Sequence, residues 1–134
     1  MAGASAAALL DTHLLLWAAT GDARLPPGVA AALARPEFRP VHSVASLWEV
    51  VIKAGLGRAD FAVDAAALRR GLVAGGYEEL PILAPHVVAV GALPRLHADP
   101  FDRLLLAQAR TERLPLWTVD AEVLAYGAPA ERVA

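Results

Sequence analysis

Ala7-Ala-Leu-Leu-Asp11-Thr-His-Leu-Leu-Leu-Trp17 is the stretch on which the fold turns. A short apolar run stops at an acid, and a second apolar pattern starts immediately behind it. Read alone, Ala7–Leu10 is ambiguous between a strand and a buried helix. Its continuation makes it a buried strand feeding a helix that begins near Thr12, with Thr12 as cap and Leu14, Leu15, Leu16 and Trp17 packing the helix down. That helix is expected to end at residues 20–21. An acid then stands where a strand hands over to a helix.

Outward from this unit the same alternation continues. Pro26 and Pro27 open a helix to about residue 34, since proline suits a first turn. Residues 39–43 read as a strand, and Ser43 or Ser46 caps a helix running to the glycines at 55 and 57. Residues 60–74 read as one amphipathic helix, 79–82 as a third strand and 85–93 as another helix. The clearest helix covers 99–113 and the clearest strand 114–119. A short helix over 120–126 and an edge strand over 130–133 complete the chain. Strands alternating with helices predict an α/β domain with a mainly parallel sheet, organised as one domain over residues 1–134.

Composition agrees with a compact domain. Of 134 residues, 57% are hydrophobic and 19% charged, a balance that supports a core and argues against disorder. The absence of cysteine removes disulfides, zinc–thiolate sites and a thiol nucleophile together. Arg24 is the first basic residue and Asp11 interrupts the early apolar run, so no secretory leader is expected. No apolar stretch has bilayer length, and a cytoplasmic protein is the expectation. Net charge is −2, so any grip on nucleic acid must be local or helped by metal ions and a partner.

In open parallel sheets ligands bind beyond the carboxyl ends of the strands. Asp11 and Asp120 end strands, Glu49 follows the second strand within its helix, and Asp99 and Asp102 open the long helix. Carboxylates gathered there repel and raise one another's pKa unless a cation compensates. Magnesium, with its preference for oxygen, meets that need and suits a phosphodiester substrate. Each acid also has an ordinary reading. Ser46-x-x-Glu49 matches a capping box, and Glu49 with Lys53 forms a helical ion pair. Asp99-Pro-Phe-Asp102 reads as cap, first-turn proline and first-turn acid, and Asp120 as a cap.

Four motifs in order carry a resemblance. Leu9-Leu-Asp11-Thr-His-Leu-Leu-Leu-Trp17 resembles the opening of PIN-domain proteins of the VapC toxin family, and Ser43-Val-Ala-Ser-Leu-Trp-Glu49-Val-Val-Ile-Lys53 resembles that family's second motif. His97-Ala-Asp99-Pro-Phe-Asp102-Arg103-Leu-Leu-Leu-Ala-Gln-Ala109 is similar to the third, and Leu116-Trp-Thr-Val-Asp120 to the fourth. The resemblance spans residues 8–126. It implies a three-layer α/β/α PIN fold and a magnesium- or manganese-dependent endoribonuclease acting as a toxin. It further implies a homodimer, neutralised by a cognate VapB-like antitoxin. Carried over by position, the acids are Asp11, Glu49, Asp102 and Asp120, with Asp11, Asp102 and Asp120 toward the metal and Glu49 reaching it directly or through water. Asp99 is an additional acid, expected as a cap or just behind the ligands.

Around these acids, Thr12, Ser46 and Thr118 are candidates to orient water or phosphate, or equally caps. Arg103 is a candidate phosphate partner or an acid-bridging arginine. His13 and His97 stand near the motifs, where a general-base role is open to them, but no two histidines have metal-ligand spacing and packing or hydrogen bonding is the preferred reading. Trp17, Trp48 and Trp117 read as core or interface residues. Apolar residues of the early helices are expected to supply a dimer face or an antitoxin groove. Two rival functions remain. A phosphohydrolase of the haloacid-dehalogenase type needs an acid two positions after Asp11, where His13 stands. A catalytically silent PIN fold acting as a binding or regulatory module keeps the fold without the chemistry.

Overall fold

The computed structural model describes residues 6–134; residues 1–5, which the single-domain expectation includes, lie outside the described residues. The chain runs β1 (Ala7–Leu10), α1 (Thr12–Thr20), α2 (Pro27–Leu33), β2 (Arg39–Ser43) and α3 (Val44–Gly55). A 3-10 turn (Ala59–Phe61) then leads to α4 (Ala65–Ala74), β3 (Glu78–Leu80) and α5 (Ala84–Val90). The last elements are α6 (Pro100–Glu112), β4 (Leu116–Trp117), α7 (Ala121–Leu124) and β5 (Ala130–Glu131). The strands form one all-parallel sheet ordered β3-β2-β1-β4-β5.

Central β1 is sealed on both faces. Ala8 and Leu10 point into a core built with Leu14, Leu15, Val29, Val50, Leu68 and Trp117. Leu9 points into the opposite core with Leu105, Leu106, Leu116 and Val123. Period-two alternation thus divides the helices: α1, α2 and α4 cover one face, α5, α6 and α7 the other, and α3 contributes Val50 to one core and Ala45 to the other. Leu9, Leu10, Leu15, Leu106 and Leu116 are wholly buried, each stabilising the fold by roughly 1.5–3 kcal/mol. The three-layer α/β/α expectation holds. Among the described residues no helix is long and apolar enough to cross a membrane.

Local expectations are corrected at several points. Residues 60–74 do not form one helix: the chain makes a 3-10 turn that buries Phe61, and α4 restarts behind Asp64, whose carboxylate accepts from Ala66 N. Ser43, not Ser46, caps α3, its hydroxyl accepting from Ala45 N. Asp11, not Thr12, caps α1. The third strand begins one residue earlier than expected and ends two earlier, at Glu78–Leu80, and the strand over 114–119 shortens to Leu116–Trp117. Of the tryptophans expected in a core or an interface, Trp117 is a core residue stacked 5.0 Å from Phe38, and Trp48, 54% exposed, meets Phe101 edge to face.

Candidate active site

From β1 the sheet grows outward through β2 to β3, then the chain returns to the other side of β1 as β4 and β5. The strand order therefore reverses at β1, and a crevice opens there beyond the strand ends. Asp11 leaves β1 at this point, and Thr118 and Asp120 follow β4. Glu49 reaches in from the second turn of α3, and Asp99 and Asp102 from the start of α6. The resulting cleft, of about 180 Å³, is lined by all five of these acids together with Thr12, His13, Lys53, Arg58, His97 and Glu122.

Each acid is held in a definite way. Asp11 is 6% exposed; its Oδ1 accepts from Leu14 N at 2.9 Å and its Oδ2 from the Thr118 hydroxyl at 2.5 Å. Thr118 Oγ1 in turn accepts from Asp120 N, tying the two strand ends together. Glu49 is also buried, with Oε1 2.6 Å from the donating Thr12 hydroxyl and Oε2 2.5 Å from Lys53 Nζ. Ser46 Oγ lies 2.9 Å from Thr12 Oγ1. Asp99 caps α6, accepting from Phe101 N and Asp102 N through Oδ1, and its Oδ2 takes a bond from Lys53 at 3.0 Å. Asp102 Oδ2 meets His97 Nε2 at 2.8 Å. Asp120 caps α7 through Glu122 N and keeps an exposed carboxylate.

Burial pushes the Asp11 carboxyl up to about 7, against its bonds to Thr118 and Leu14, and the nearby charges of Asp102 and Glu49 push the same way. Asp102 is raised to about 6, first by burial and then by the charge of Asp99. Asp99 moves down: its backbone donors and Lys53 outweigh its burial. Burial disfavours a charged His97, but Asp102 and Glu122 outweigh it and raise its pKa. Two carboxyls with raised pKa values in one cleft retain their protons unusually well, and a bound cation would favour their charged forms.

The family comparison is direct. The PIN-domain family model matches residues 8–128. This chain belongs to the PIN-domain family. No curated protein matches it. Solved structures resemble this PIN domain closely in fold though not in sequence. A toxin–antitoxin complex from Klebsiella pneumoniae matches at TM-score 0.66 and 21% identity, covering 95% of this chain and 96% of that one. VapBC2 from Rickettsia felis, bound to a DNA fragment from its promoter, matches at 0.66 and 16%, covering 96% and 99%. VapBC-1 from nontypeable Haemophilus influenzae matches at 0.65 and 16%, covering 95% and 96%.

The cleft of this PIN domain gathers every acid singled out in the sequence. The supporting residues divide. Thr12, Ser46 and Thr118 bond to the acids or to one another, so they orient carboxylates. Arg103 donates to the carbonyls of Pro94 and Val90 and to the Tyr126 hydroxyl, which makes it a brace for the loop before α6. His97 faces the acids directly, a placement that its lone position before Asp99 did not reveal. Glu122 and Arg58 were not distinguishable from solvated surface charges in sequence. Past His97 the cleft continues into a groove of about 560 Å³ lined by Arg95 and Arg103.

Proposed function

We propose that this PIN domain is a divalent-metal-dependent endoribonuclease and the toxin of a toxin–antitoxin pair. The observation that carries this reading is the crowding of Asp11, Glu49, Asp99, Asp102 and Asp120 around one cleft, with Asp11 held at about 7 and Asp102 at about 6. The donor set fits a hard cation, since carboxylate oxygens dominate and thiolate is absent. Asp11, Asp102 and Asp120 would hold magnesium or manganese, with Glu49 reaching it directly or through water. Bound there, the cation supplies an activated water and offsets charge building on the scissile phosphate.

The chain's own residues prepare this site. Thr118 fixes the Asp11 carboxylate between strand ends, while Thr12 and Lys53 fix both oxygens of Glu49. Lys53 bridges Glu49 to Asp99, placing one ammonium between two acids of a half-buried cluster. Arg58 at the rim and Arg95 in the adjoining groove supply local positive charge for a phosphate backbone, which the net charge of −2 does not. Trp48, Val51, Ile52 and Leu56 form an exposed apolar stripe along α3 and its end, a surface suited to the expected protein partners, a second copy or a VapB-like antitoxin. The solved structures of similar fold are named as toxin–antitoxin assemblies, which supports the same reading.

Purified protein incubated with end-labelled single-stranded RNA tests the activity. Cleavage that requires magnesium or manganese, stops with chelator and disappears in Asp11→Asn is expected. A metal-independent product, or equal cleavage by Asp11→Asn, overturns the assignment. A protein that binds neither cation falls to the silent binding-module alternative.

A further inference from the structure

Two imidazoles line the cleft, and they are set differently. His13 turns toward Asp60 at 3.9 Å and packs against Trp17 and Phe61. His97 faces the acids with a ring contact on both nitrogens: Nδ1 lies 2.5 Å from Glu122 Oε2 and Nε2 lies 2.8 Å from Asp102 Oδ2. One ring nitrogen of His97 and one carboxylate oxygen each from Asp102 and Asp120 lie within 4.8 Å of one another, close enough for one ion.

The loop that presents His97 is braced. His97 N donates to the Tyr126 hydroxyl at 3.0 Å, and Arg103 donates to the same hydroxyl at 3.1 Å. Arg103 also holds the carbonyls of Pro94 at 2.9 Å and Val90 at 3.2 Å. One guanidinium thus fixes the segment carrying His97 against the helix carrying Asp102. This accounts for His97, Asp102 and Arg103 occurring together in a single short motif.

We propose that His97 Nε2 is a direct ligand of the divalent ion in this cleft, alongside Asp102 and Asp120, and that this nitrogen biases the site toward manganese over magnesium. The inference rests on the metal-dependent reading above. Metal-ligating histidines characteristically donate the other ring N–H to a carboxylate, which fixes the tautomer and ring orientation. Glu122 stands in that position at Nδ1, and an ion bound between Nε2 and Asp102 would replace their direct 2.8 Å contact. Magnesium favours an all-oxygen shell, whereas imidazole suits transition cations. Replacing one oxygen by His97 therefore shifts the preference between the two ions.

Pulsed electron paramagnetic resonance on the manganese-loaded full chain tests this without reference to activity. Wild type should show nitrogen-14 modulation from a coordinated imidazole, absent in His97→Gln although His13 remains. Competition titration should show His97→Gln losing most of the manganese preference over magnesium. Glu122→Gln, a change at an exposed side chain, should weaken manganese binding by about tenfold while keeping the modulation. Manganese bound to wild type without nitrogen modulation, or with modulation unchanged in His97→Gln, overturns the ligand assignment while the metal reading stands. Failure of wild type to bind either ion overturns both.

Discussion

Helix α6 carries two polar clusters, and they are wired in opposite ways. In its later turns Gln108, fully buried, accepts from the Ser43 hydroxyl at 2.5 Å and donates to the Pro81 carbonyl at 3.2 Å. His86 accepts from Leu83 N through Nδ1 and meets Glu112 through Nε2 at 2.7 Å. Donors meet acceptors, and the network joins α5 and α6 to the end of β2. At the first turns of the same helix Asp99 and Asp102 face further acids, with Lys53 against Asp99 and His97 against Asp102. A buried cluster that is fully paired fixes structure. One that crowds like charge, holding Asp11 and Asp102 toward neutrality, is prepared for a ligand.

The sharpest way to break this contrast is to alter one residue in each cluster. Asp102→Asn should lower RNA cleavage on the order of a hundredfold or more, the scale for removing one group that stabilises transition-state charge, while resistance to urea is kept or, near pH 8, raised. Gln108→Leu should do the reverse. It strands the Ser43 hydroxyl and the Pro81 carbonyl, costing about 2–4 kcal/mol in urea unfolding, while the folded fraction keeps its cleavage rate. If Asp102→Asn unfolds the protein and Gln108→Leu does not, the two clusters have been assigned the wrong way round.

The two clusters also differ in how they respond to pH. The folded pKa of Asp11, about 7, and of Asp102, about 6, lie above the ordinary 3.8. The folded state therefore binds these protons more tightly, and the stability they contribute is lost as pH rises from about 4 to 7. His97, raised above 6.5, contributes in the same direction, its share being lost as pH rises through its folded value. Thermal melts of metal-free protein should give a melting temperature that falls between pH 5 and 8. Asp11→Asn should flatten that slope and melt higher than wild type at pH 8, because it removes a buried charge. A wild-type melting temperature rising over that range would contradict the assignment.

The smallest effect belongs to pairs outside both clusters. Arg69 and Glu79 meet at 2.7 Å on the exposed surface, where solvent screening leaves little net stabilisation. Arg69→Gln should leave the melting temperature and RNA cleavage indistinguishable from wild type.

Where the chain could be read in advance, the reason was periodicity and order. Ala7–Leu10 with Asp11 behind it, and Leu116–Trp117 with Asp120 behind it, name their positions because a buried strand end leaves few roles for an acid. The parallel sheet and the gathering of Asp11, Glu49, Asp99, Asp102 and Asp120 followed from that alternation. Capping was harder to read, since Ser43 and Ser46, three residues apart, and the neighbours Asp11 and Thr12 are pairs of similar capping propensity. Only the three-dimensional placement gives Ser43 the cap and turns Ser46 toward Thr12. Residues 60–74 carry a helical apolar pattern, yet burial of Phe61 breaks it into a 3-10 turn and a helix. Arg103 and His97 depended on contacts with Tyr126 and Glu122 more than twenty residues away, which local spacing does not encode.

RNA cleavage at the acid cleft is the proposal on which the activity predictions depend. Its most direct test is sequencing RNA 5′ ends from cells after brief expression of wild type beside Asp11→Asn, at matched protein levels. Discrete new 5′ ends are expected with wild type and are expected to be missing with Asp11→Asn. Identical RNA ends in the two samples would contradict it.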